Sequence, residues 1–205
     1  MGLDMHYQAM PEACSLLARS RQEPEFGRHL EFFVLIAQHG LSVICDEAEN
    51  AQTWIDFAEE VQQTIQLYPG IEQRVCYFGR TWDILYYLLS KKRRHGEPLD
   101  GTSWIERAIF GGDILHPTVT TTIGSPIRYL PPTEVYSVAK LLTRVTREAL
   151  RKRYHPLAMQ KAAVYKIYRD DDEEECQYIV QDFEKLKAFY HQAATHQEGV
   201  LTCLG

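Results

Sequence analysis

The stretch YFGRTWDILYYLLS concentrates side chains that commonly line small-molecule sites. Aromatic rings can hold an apolar ligand between them, and an oppositely charged pair can orient its polar groups. The candidate ligand-binding residues of this stretch are Arg80, Trp82, Asp83 and Tyr86. The same stretch also fits a buried amphipathic helix, because apolar residues recur three, four and seven positions after Trp82. This spacing favours a core helix, and the ligand site is the alternative.

His6 is the fifth candidate ligand-binding residue. The segment GLDMHYQAM alternates between two sets of side chains, which predicts a β-strand that begins within the first residues. His6 and Asp4 would lie on one face of this strand, where they could act as a general acid–base pair. No nucleophile motif accompanies them, so the sequence predicts no catalytic residue.

Motifs of phosphate-binding, nucleophilic and metal sites are absent from the sequence. The chain has neither G-x-S-x-G nor a glycine-rich phosphate loop. The acidic run DDDEEE at residues 170–175 lacks the ligand spacing of an EF-hand, and His191 and His196 are five residues apart rather than four. The five cysteines are scattered without a zinc-binding or disulfide pattern. The sequence therefore predicts no metal ion and no cofactor.

Composition excludes two classes of partner. The chain has 205 residues and a formal net charge of −6. Nucleic-acid binding depends on clustered cations, so nucleic acid is not an expected partner. The longest apolar runs have six residues, whereas a membrane helix needs about 18, so no membrane partner is expected. Unpaired cysteines and the lack of a signal-peptide pattern predict a cytoplasmic protein.

Hydrophobic periodicity predicts helices between two terminal strands. Helical patterns cover residues 25–67, the stretch around Trp82, a short segment that opens with a capping box at Ser103, and a long segment that ends near His196. The last residues, VLTCLG, predict a strand that pairs with the N-terminal one, because an isolated terminal strand leaves its backbone groups unpaired. No linker or repeat interrupts this order, which predicts one domain over residues 1–205.

Several segments, in order, resemble the YfbM-like family of bacterial proteins. They are the N-terminal MGLDMHYQAM, TWDILYYLLS, AIFGGDIL, IRYLPPTEVYSVAKLL, and YIVQDFEKLKAFYHQAA followed by GVLTCLG. The resemblance covers residues 1–10 and 75–205, and residues 20–70 do not match. It implies an α/β (or α+β) domain with a small mixed sheet flanked by helices. It also implies a family without an established activity, cofactor or catalytic residue.

Two positions depart from the family pattern. Tyr86 stands where relatives typically have His, and a phenol with a pKa near 10 cannot shuttle protons at neutral pH as imidazole does. Pro131 stands where relatives usually have Ser or Thr, so the following helix begins without a side-chain cap.

The leading functional interpretation is a non-catalytic module that binds another protein. Its acidic surface would engage a basic effector, as an inhibitor or immunity-type protein does. The alternative is a small-molecule-binding domain or enzyme that uses the aromatic helix around Trp82. The module needs an exposed patch, whereas the alternative needs a concave pocket with convergent polar groups.

Overall fold

The structure of the protein is a computed structural model that describes residues 3–43, 51–90, 103–165 and 173–205. The basic run at residues 91–94, Cys45 and the first three residues of the acidic run lie outside the described residues. The remaining four cysteines are free thiols, as their spacing predicts.

An antiparallel sheet of five strands organises the described residues. The strands are β1 (Met5–Met10), β2 (Val75–Phe78), β3 (Asp113–Ile114), β4 (Arg128–Leu130) and β5 (Gly199–Leu204). Their order across the sheet is β2-β1-β5-β4-β3. The two terminal strands pair along their whole length, from Met5 opposite Leu204 to Met10 opposite Gly199, which confirms that they share one sheet.

The sheet differs from the expected mixed arrangement, because all pairs between the described strands are antiparallel. The helices that connect β1 to β2, and the helices that connect β4 to β5, begin and end at the same end of the sheet, as an antiparallel pair requires. The α/β fold class is confirmed, since helices flank this sheet.

Helices cover both sides of the sheet. Those between β1 and β2 are α1 (Ser15–Gln22), α2 (Pro24–Gly27), α3 (Phe33–His39) and α4 (Ala51–Leu67), with a 3-10 turn at Arg28–Phe32 before α3. Those that follow are α5 (Trp82–Ser90), α6 (Trp104–Phe110), α7 (Pro132–Thr143), α8 (Arg147–Arg153), α9 (Pro156–Lys161) and α10 (Glu173–Thr195).

The side chains of β1 alternate between the two faces of the sheet, and a separate hydrophobic core lies on each face. We call the core around Tyr7 the first core and the core around Met10 the second core. Met5, Tyr7 and Ala9 point to one face of the sheet, where α5, α6, α7 and α10 bury them. Met10 lies on the opposite face, where it packs against helices from the first part of the chain. Helices from residues 20–70 therefore cover this second face.

The loop after α6 depends on two glycines. Gly111 has a φ of 86° and ends the helix. A Cβ atom at Gly112 would lie 2.2 Å from the carbonyl oxygen of Tyr129, so only glycine allows this approach to β4. At the other end of α6, Ser103 makes no side-chain capping bond, contrary to the capping-box prediction. Glu106, the expected partner of that cap, is turned into the core instead.

Candidate functional site

Three of the five predicted site residues lie inside the first core. The side chain of Trp82 is 3% exposed, and its Nε1 donates to the carbonyl oxygen of Leu3 at 2.9 Å. Asp83 is buried, and its carboxylate accepts a hydrogen bond from the backbone N–H of Tyr165 at 2.7 Å. These contacts fit the core helix that the spacing of the stretch favours.

Tyr86 is buried in the same core and is bound to a buried carboxylate. Its hydroxyl donates to Oε1 of Glu106 at 3.1 Å, and its ring packs against Phe110. The second carboxylate oxygen of Glu106 has no hydrogen-bond partner among the described residues. The pair is a buried polar contact between α5 and α6.

His6 lies on the opposite face of the sheet from these three residues. Its ring centroid is 4.7 Å from that of Tyr77, which is the neighbouring residue on β2. The hydroxyl of Tyr77 donates to Asp4 at 2.6 Å, and this bond raises the pKa of Tyr77. The charge of Arg80, which is half-buried nearby, lowers the pKa of Tyr77 and so opposes that effect. Of the predicted site residues, His6 and Arg80 therefore both lie near Tyr77.

A groove opens on the second face of the sheet, and we call it the sheet groove. Its volume is about 420 Å³, and residues 30–35 and Gln38 form its wall. Its floor consists of two rows of side chains that the strand register places across β2, β1 and β5. These rows are Tyr77, His6 and Cys203, and Val75, Gln8 and Leu201.

The wall of the sheet groove is mainly apolar. It contains Phe32, Phe33, Val34 and Leu35 from the 3-10 turn and α3. One carboxylate, that of Glu31, accepts hydrogen bonds from the backbone N–H and the hydroxyl of Thr122. Burial raises the pKa of Glu31, and the bonds to Thr122 oppose this rise.

His6 and Cys203 are neighbours on the groove floor, where the strand register places them opposite each other. Partial burial lowers the pKa of His6, although the charge of Asp4 opposes the effect. Burial raises the pKa of the Cys203 thiol to about 12, and the charge of Glu31 adds to the rise. Both shifts favour neutral groups, whereas a catalytic dyad needs a thiolate. The pair therefore offers hydrogen bonding and an apolar surface rather than a nucleophile.

Metal binding has no site among the described residues. They contain no group of three or more His, Cys, Asp or Glu that could hold a metal ion. Within the same part of the chain, no helix is long and apolar enough to cross a membrane.

A second, shallower groove of about 480 Å³ runs between α7 and α10. Lys140, Arg144 and His191 line it, and Nε2 of His191 lies 2.7 Å from the hydroxyl oxygen of Thr143. It is more polar than the sheet groove, and its cations lie on the exposed surface.

Comparison with known proteins places the chain in a family. Residues 33–203 match the family described as a domain of unknown function (DUF1877). The match includes residues 33–70, so the expectation that residues 20–70 lie outside the family pattern was wrong for most of that segment. The chain belongs to this family. None of the curated protein sequences compared with it matches.

The fold of this DUF1877 chain is similar to the crystal structure of YfbM, a protein of unknown function from Escherichia coli. The TM-score is 0.56 and the sequence identity is 14%, over 98% of this chain and 99% of that chain. The likeness confirms the YfbM-like fold that the sequence motifs indicate, and at this identity it shows the fold alone.

Three exposed apolar residues around the sheet groove were not singled out from the sequence. They are Leu35, Val75 and Tyr77, which are 39%, 38% and 51% exposed. The only sequence signal was the alternation of VCYF, which places Val75 and Tyr77 on one face of a strand. Which face stays open depends on how α3 packs, and periodicity carries no information about that.

Proposed function

We propose that this protein is a non-catalytic binding module and that an apolar segment of another protein occupies the sheet groove. The observation that carries the proposal is the cluster of exposed apolar side chains of Leu35, Val75 and Tyr77 beside the groove. Clustered exposed apolar residues at an apolar concavity are typical of protein-binding surfaces. A partner would remove these side chains from water.

The chemistry of the groove supports binding rather than catalysis. The pKa of His6 is lowered and that of the Cys203 thiol is raised to about 12, so neither group is activated as an ion pair. Three of the other four predicted site residues, Trp82, Asp83 and Tyr86, already contact other parts of the core. A role for them in ligand binding stays a prediction.

The charge of the chain supports a basic partner. The net charge is −6, and opposite charges accelerate association and select partners. Three predictions go with this function: an inhibitor or immunity-type role toward a basic effector, a cytoplasmic location and a bacterial origin.

A small molecule is the second candidate for the groove. The volume of about 420 Å³ lies within the usual range for ligand sites of roughly 300–1,000 Å³. The amide oxygen of Gln8, on the groove floor, is buried and has no hydrogen-bond partner among the described residues. A ligand N–H or O–H group could satisfy it.

Capture of partners by the purified protein and by two variants tests the proposal. Leu35→Glu places a charge at the groove, and Leu157→Glu places the same charge on α9, where Leu157 is 73% exposed. We expect the wild type and Leu157→Glu to capture the same proteins from a lysate of the source organism. Leu35→Glu should fail to capture these proteins. Equal capture by both variants would contradict the proposal. A small molecule retained in native mass spectrometry, and lost only with Leu35→Glu, would instead support the second candidate.

A further inference from the structure

Strand β2 is an edge of the sheet that the described residues form. It pairs with β1 on one side, and no described strand lies on the other. Its sequence VCYF contains no charged residue or proline. Natural proteins usually protect an exposed edge with such residues, because the edge can pair with another chain.

The register of β1 and β2 shows which backbone groups face outward. The N–H of Ala9 donates to the carbonyl oxygen of Arg74, and Ala9 lies opposite Arg74 in the antiparallel register. Bonded and non-bonded positions alternate in such a ladder. Cys76 and Phe78 therefore direct their N–H and C=O groups toward β1. Val75 and Tyr77 direct theirs away from it, and no backbone–backbone hydrogen bond among the described residues reaches them.

The same two residues point their side chains toward the sheet groove. Val75 and Tyr77 lie opposite Gln8 and His6, which form the groove floor. The outward-facing backbone groups and the exposed apolar side chains of β2 thus belong to the same residues. An occupant that uses both must have an extended backbone and apolar side chains at alternate positions.

We propose that β2 accepts an extended segment of a partner protein as an additional antiparallel strand, whose alternate apolar side chains enter the sheet groove. This inference rests on the proposed function and specifies how the groove binds. The antiparallel direction follows the other pairs of this sheet. Strand addition to a free edge is a common mode of peptide recognition, in which main-chain bonds give affinity and side-chain pockets give specificity. Basic residues at the outward positions would complement the net charge of −6.

The antiparallel geometry makes a specific statement about the occupant. Residues directly opposite Val75 and Tyr77 point their side chains to the groove and exchange hydrogen bonds with these two residues. The intervening residues direct their amides away from β2. In the peptide KVTVTVK, the valines would fill the groove positions and donate the bonds, whereas the threonine amides would face solvent.

Three synthetic peptides test the proposal by titration against the wild-type protein. The parent is acetylated and amidated KVTVTVK, the second is N-methylated at its three valines, and the third is N-methylated at its two threonines. N-methylation removes a hydrogen-bond donor without changing the side chain. We expect the valine-methylated peptide to bind at least about tenfold more weakly than the parent, because two main-chain bonds are lost. We expect the threonine-methylated peptide to bind within about threefold of the parent, because its blocked amides face away from β2.

Other outcomes overturn strand addition and separate it from the proposed function. Equal binding of all three peptides, with loss of binding in Leu35→Glu, would mean that the groove takes side chains without strand pairing. Weakening only by threonine methylation would contradict the antiparallel arrangement. Failure of the parent peptide to bind at millimolar concentration would also overturn strand addition, while the capture experiment would still decide the proposed function.

Discussion

Trp82 packs its indole ring against Phe110 and Tyr165 and donates a hydrogen bond to the backbone of Leu3. Replacement by alanine would remove a large buried ring and leave a cavity, so we expect Trp82→Ala to lower the free energy of unfolding by about 3–5 kcal/mol. Denaturant unfolding measures this loss. Trp104→Ala is the control, because Trp104 is 41% exposed, and it should cost clearly less. An unchanged unfolding midpoint for Trp82→Ala would contradict its place in the core.

His29 gives the second core a dependence on pH. Its ring stacks on Trp54 at a centroid distance of 3.8 Å, and its buried Nε2 has no hydrogen-bond partner in the part of the chain that the structure describes. Burial lowers the pKa of His29 from 6.5 to about 4; the charge of Arg28 adds to the lowering and that of Glu25 opposes it. The unfolded chain therefore binds more protons between these two pH values.

We expect the contribution of His29 to the free energy of unfolding to be fully present above about pH 6.5. This contribution should decrease as the pH is lowered toward 4, where the folded His29 begins to take up its proton. His29→Phe keeps an aromatic ring in place and removes the titration. Its unfolding free energy should change less than that of the wild type over this window, whereas His39→Gln should behave as the wild type does. Parallel pH profiles for the wild type and His29→Phe would exclude His29 as the cause.

Secondary structure was predictable because each element carries its own period. The spacing after Trp82 predicts α5 and its buried face, and the alternation around His6 predicts β1. Glu106 shows the limit of such reasoning, because capping-box spacing predicts a local bond to the helix start. Contact with Tyr86, which lies on a different helix, turned its side chain into the core instead.

Strand β5 is more central than a terminal segment of this length suggests. It lies between β1 and β4 and pairs with both. A chain that ends at Glu198 would lose both ladders, so we expect aggregation and loss of the native circular dichroism spectrum rather than a frayed end. A chain that lacks only Gly205 is the control and should remain folded and monomeric. If the chain ending at Glu198 stays monomeric, with unchanged amide exchange from Leu3 to Gln8, the sheet order described here is wrong.

At the scale of the whole molecule, the sheet separates two sets of chemistry-bearing residues. Trp82, Asp83 and Tyr86 lie in the core on one face, whereas His6 and the sheet groove lie on the other. The sequence could place each residue on an element, but it could not show which elements leave a face open. That depends on α3 and the 3-10 turn before it, which cover only part of the second face and so form the groove wall.

Amide hydrogen exchange along β2 tests most directly whether a free strand edge forms the binding site. In the free protein, we expect Cys76 and Phe78 to exchange slowly because they bond to β1, and Val75 and Tyr77 to exchange fast. Saturation with the KVTVTVK peptide should slow exchange at Val75 and Tyr77 and leave the other two unchanged. Fast exchange at Val75 and Tyr77 in the presence of the bound peptide, or slow exchange in its absence, would contradict the account.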